Sequence, residues 1–87
     1  MMSHILTRSL FMVPEMHIVS SSTIAAIGYD ARRHELHVRF HGIGLYVYQE
    51  VAADLFDEFL DSSSKGTFFN KHVKGRYEFI APSSSAP

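Results

Sequence analysis

Residues 35–50, ELHVRFHGIGLYVYQE, hold the pattern from which the fold follows. From Glu35 to Phe40 apolar and polar side chains alternate without a break. Leu36, Val38 and Phe40 fall on one side; Glu35, His37 and Arg39 fall on the other. A period of two belongs to a strand with one buried and one wet face. Gly42 and Gly44 supply the flexible positions of a turn. Leu45 to Glu50 is the next strand, with Tyr46 and Tyr48 on one face and Leu45 and Val47 on the other. So short a connection leaves no room for a crossover, and the two strands pair antiparallel.

Outward from this pair toward the N-terminus, Ile24 to Tyr29 (IAAIGY) is rich in branched and small residues and reads as a further strand. Gly28 within it signals a bulge or a close backbone approach, and Asp30 to His34 is a polar turn. The domain is expected to begin near Ile18. Residues 1–17 read as an added arm, disordered or forming an interface. Its apolar run, Ile5 to Val13, is interrupted by Thr7, Arg8 and Ser9, is too short to span a bilayer, and lacks the pattern of a secretory signal.

Toward the C-terminus the period changes. Val51, Leu55 and Phe59 recur every four residues with Phe56 and Leu60 beside them, while Asp54, Asp57, Glu58 and Asp61 take the remaining positions. This is an amphipathic helix over Ala52 to Ser62. Three serines and Gly66 are expected to end it, Gly66 in the left-handed conformation. A shorter helix is expected over Thr67 to Lys74, closed by Gly75, with Arg76 to Ile80 as an edge strand. Residues 81–87 have little to bury and read as a disordered tail. The expected fold is α+β: a three- to four-stranded antiparallel meander packed against one amphipathic helix and a short second helix, within residues 18–80.

A chain of 87 residues, 46% hydrophobic and 13% aromatic, supports one domain with one core. It has no cysteine, which excludes disulfides and thiolate zinc sites and fits a reducing, cytoplasmic setting. Eight Lys and Arg against nine Asp and Glu leave a formal charge of −1, but the charge is segregated. An acidic block from Glu50 to Asp61 precedes a basic one containing Lys65, Lys71, Lys74 and Arg76. Such segregation orients a partner even near neutrality.

Little points to catalysis, and no cofactor is expected. No GxGxxG, Walker loop or HExxH occurs. Ser20, Ser21 and Ser22 lack the surroundings of a nucleophile and read as turn formers. His34, His37 and His41 are the nearest approach to a metal set. However, His37 and His41 on one strand lie about 13 Å apart, so they read as solvated side chains on the wet face. The binding candidates are Lys65, Lys71, Lys74 and Arg76 for phosphates, Asn70 beside them, and Tyr46 with Tyr48 for stacking. If Leu45 and Val47 serve the core with Leu36 and Val38, both tyrosines fall on the opposite, exposed face. On the core side they would instead bury their rings and leave only hydroxyls at the rim.

The order Val19, Ser21-Ser22, Ile24, Ile27-Gly28-Tyr29-Asp30, Leu36, Val38, Phe40, Tyr46-Val47-Tyr48 and Val51, followed by Ser64, Gly66, Phe69-Asn70 and Tyr77, resembles the KTSC domain. That family is named for its place at the C-terminus of some lysyl-tRNA synthetases and also occurs as stand-alone bacterial or phage proteins. The sequence departs from its pattern at Ala52, where a proline is expected, and at Ile43, which separates two glycines. The resemblance implies a non-catalytic module with RNA as a partner, through fusion to a tRNA-handling enzyme. The alternative is a protein-interaction module, acting on a host protein or as a homodimer, for which the acidic helix and the apolar arm argue. Neither reading involves a membrane.

Overall fold

Over residues 14–82, which the computed structural model describes, five strands and two helices alternate in the order the periodicities demand. They are β1 (Met16–Ile18), β2 (Ile24–Asp30), β3 (Glu35–Phe40), β4 (Gly44–Tyr48), α1 (Ala53–Asp61), α2 (Lys65–His72) and β5 (Phe79–Ile80). All neighbouring strands pair antiparallel, in the sheet order β1-β2-β3-β4-β5. The fold class is α+β, with one strand more than the sequence reading. Met16 and His17, assigned to the arm, belong to the sheet, while residues 1–13 and 83–87 of the expected arm and tail lie outside the described residues.

The register pairs Ile27 with Val38, Leu36 with Tyr48 and Val38 with Tyr46. Cross-strand partners share a face, so one side of the sheet carries a continuous apolar layer. Phe59 of α1 and Phe69 and Val73 of the α2 segment close over it, completing a core with Ile24, Ile27, Leu36, Val38, Tyr48 and Val51. Phe59 also stacks on Phe68 at 5.0 Å, joining the two helices. The acids of α1 lie on its outer, exposed side, as amphipathic spacing requires.

The boundary between the helices differs from expectation. Ser62 caps α1 in an extended conformation, and Ser64 starts α2 by accepting a hydrogen bond from the Thr67 N–H. Gly66 therefore sits in the first turn of α2 instead of at the exit of α1. Serine is a strong N-cap because its oxygen satisfies an orphan donor, and that preference outweighs the cost of an early glycine. Gly75 does close the segment at φ +76°.

The outer strands β1 and β5 are three and two residues long, and their Ile18 and Ile80 are 90% and 55% exposed. At Gly28, the expected close approach is found. A Cβ there would stand 2.6 Å from the Met16 sulfur and 2.7 Å from the Glu15 carbonyl oxygen. Gly28→Ala is therefore expected to cost about 1–3 kcal/mol through overpacking, and hydrogen exchange should quicken first at the amides of Met16–Ile18.

One residue of the face read as wet is not wet. His37 is 7% exposed, on the central strand between Gly28 and Val47, and neither ring nitrogen has a hydrogen-bond partner. Arg39, two residues along on the same strand and side, stays exposed, so alternation alone does not tell which outward side chain keeps its water. Burial lowers the His37 pKa from 6.5, and the carboxylates of Glu35, 3.7 Å away, and Asp30 oppose this only in part. The unfolded chain thus takes up this proton at higher pH than the folded one. Stability is full above about 6.5 and declines as pH falls from there toward the lower folded-state value. Urea midpoints between pH 8 and 5 should show this decline, and His37→Asn should flatten it. Among the described residues no helix is long and apolar enough to cross a membrane.

Candidate functional site

Because Tyr46 and Tyr48 share a face with Val38 and Leu36, they point toward the helices. The expectation of an exposed tyrosine platform on the far side of the sheet is corrected by this register. Leu45 and Val47, not the tyrosines, face away. Tyr48 is buried at 5% exposure and Tyr46 is half-buried.

Around them a five-ring cluster assembles. Phe40 meets Tyr46 edge-on at 5.3 Å and Phe69 at 5.2 Å; Tyr48 meets Phe69 at 5.7 Å. Phe79 of β5 lies 5.6 Å from Tyr46 and 5.5 Å from Tyr48. Edge-to-face pairs add about 0.5–1.5 kcal/mol each beyond area burial, which holds this wall rigid. Burial, with Tyr46 beside it, pushes the Tyr48 phenol up to about 12.

The rings line a cleft of about 630 Å³ between β4, β5 and α2, within the roughly 300–1,000 Å³ of small-ligand sites. Ile43 and Phe79, both more than half exposed, stand at its edge, and Asn70 and Lys74 add polar groups. Gly66 and Gly75 line it without side chains. A Cβ on Gly66 would meet nothing within 4 Å.

Of the residues singled out in the sequence, the fold brings Tyr46, Tyr48, Asn70 and Lys74 together in this cleft. Lys65 lies instead in an adjoining polar cavity with Asn70, its ammonium donating to the Ser62 carbonyl. Arg76 donates from Nε to the Lys71 carbonyl at 3.0 Å, satisfying the end of α2, and lines a separate depression with Gln49 and Glu78. Lys71 is exposed on α2. Phe40, Ile43 and Phe79 join the site without having been singled out for it, beside Phe69 of the Phe69-Asn70 motif. The β3–β4 register, which pairs Phe40 with Gly44, and the β4–β5 register, which pairs Tyr48 with Phe79, bring the two phenylalanines of the sheet to it.

Another cavity, of about 510 Å³, lies where Tyr29, His34 and Glu50 meet the start of α1. The Tyr29 hydroxyl there is already committed to the Val51 carbonyl, and the lining is largely alanine and valine. It offers fewer directed groups than the aromatic cleft.

A five-stranded meander closed on one side by two short helices, with an aromatic cleft at the sheet's β4–β5 end, defines a small α+β module with a preformed recess. Residues 20–77 match the family model of the KTSC domain, and the chain belongs to that family. A protein of Tsukamurella paurometabola is 42% identical over 66 residues, covering 76% of this chain and 98% of its own length. The crystal structure of a KTSC domain protein from Yersinia pestis superposes with a TM-score of 0.77 at 33% identity, covering 80% of this chain and 99% of that one.

Gly66 gives a test of the cleft's openness that does not disturb the core. Gly66→Ala should raise stability by up to about 1 kcal/mol, since a helical glycine is replaced where space is free. A thermal melt that falls instead would contradict the geometry.

Proposed function

We propose that this chain is a non-catalytic module that binds single-stranded nucleic acid, a base entering the aromatic cleft and the backbone running past Lys74 and Lys71. The observation that carries this reading is the juxtaposition of stackable rings, Tyr46 and Phe79 at the opening, with an ammonium and an amide in one recess. Every base has a π-face, so aromatic platforms take bases with little regard to sequence, at about 1–3 kcal/mol per base. Asn70 can donate and accept along a base edge. Lys71, next along α2, extends the positive rim.

Fluorescence anisotropy with a short labelled oligonucleotide tests it. With two lysines each meeting a phosphate, affinity should fall roughly sevenfold between about 50 and 200 mM salt, a slope of about 0.7 per contact. Lys74→Ala should remove about half of that slope, and Gly66→Leu should abolish binding while the fold survives. Salt-independent binding, or none at low salt, overturns the proposal.

A second reading rests on Ile43 and Phe79, apolar side chains exposed at the cleft's edge. An apolar anchor from a protein partner would fill the same recess, with hydrophobic contact in place of charge. Binding lost in Gly66→Leu but indifferent to Lys74→Ala and to salt would favour it.

A further inference from the structure

Next to the aromatic cleft lies a second cavity of about 330 Å³, formed by residues 20–23 on one side and by residues 63–67 with Asn70 on the other. Thr23, Gly66 and Asn70 line both spaces, so the two adjoin, an aromatic half beside a hydroxyl half. We infer that the hydroxyl half holds the sugar when the aromatic half holds the base, and that the chain therefore selects RNA over DNA. This deepens the preceding proposal and depends on it.

The chemistry of the lining carries the inference. The loop bonds are made by Ser21, whose oxygen accepts from the Thr23 and Ile24 N–H groups, and by Ser64, which caps α2 and donates to the Thr67 hydroxyl. Ser20, Ser22, Ser63 and Asn70 take part in none of these bonds and are exposed. Since Ser64 already caps the first turn of α2, side chains of two separate loops, with Asn70 from the middle of α2, supply the free polar groups. Each serine hydroxyl both donates and accepts, and so does the Asn70 amide. A ribose 2′-hydroxyl is likewise donor and acceptor, and it is the group by which a protein tells RNA from DNA. Lys65 spends one N–H on the Ser62 carbonyl and keeps its remaining donors for the oxygens of the sugar. The rings supply the stacking surface on the other side of Gly66, which puts no side chain between the two halves.

Anisotropy titrations of the full chain with a mixed-sequence RNA hexamer and the DNA of the same sequence decide the matter. RNA should bind roughly tenfold tighter, the effect of one or two net hydrogen bonds to the 2′-hydroxyl. The double variant Ser22→Ala, Ser63→Ala, at positions outside the core, should lose this preference by weakening RNA binding while leaving DNA binding in place. A circular dichroism melt will verify that it folds. Equal RNA and DNA affinities in the unaltered chain, with binding still sensitive to Gly66→Leu, overturn the sugar subsite and leave the base cleft standing. A preference that survives in the double variant overturns it as well. Failure of both strands to bind overturns both readings.

Discussion

The pairing of Leu36 with Tyr48 and of Val38 with Tyr46 is the constraint on which the remaining architecture depends. Strand side chains alternate with a period of two, so a slip of one residue would send every ring on β4 to the other face. In the observed register, large rings from β3, β4 and β5 share the helix-facing side. The helix α2 sets Phe69 among those rings. The cleft is the step beside them.

Two glycines line the step, and one capping serine places the first of them. Ser64 fixes where α2 starts, which places Gly66 over the rings and sets Phe69 into them three residues later. Had α2 started two residues further on, as the sequence suggested, Gly66 would have been a linker and Phe69 would have sat two residues nearer the helix start, about half a turn. The N-cap therefore acts well beyond its own turn: it determines which side chains, and which absences of side chain, face the sheet. Asn70 follows, lining both the apolar space and the polar one.

The sequence made the layers legible because each depends on a local period. The alternation of β3, the four-residue spacing of α1 and the turn glycines at Gly42, Gly44 and Gly75 all act within a few residues, and all are found where read. The resemblance to the KTSC domain was legible for the same reason, since its motifs are contiguous. What could not be read was the relation between elements. The face of Tyr46 and Tyr48 depends on cross-strand register, not on the alternation within β4. The burial of His37 is invisible to an alternation that places exposed Arg39 on the same side. The basic block looked continuous along the chain, but helical geometry turns Lys74 into the cleft, folds Arg76 back on α2 and leaves Lys65 among the serines. Charge proximity in sequence is a weak guide once a helix and a turn intervene.

The brevity of the outermost strands has a consequence for how the molecule coexists with its own copies. Unpaired backbone at a sheet margin invites another chain to add itself, and exposed isoleucines beside it would strengthen the invitation. With three residues at one margin and two at the other, an incoming strand finds room for only a bond or two, too few to offset the entropy of being held. Among the described residues, margins this short blunt strand addition despite their greasy rims, and any lengthening of either would erode that protection.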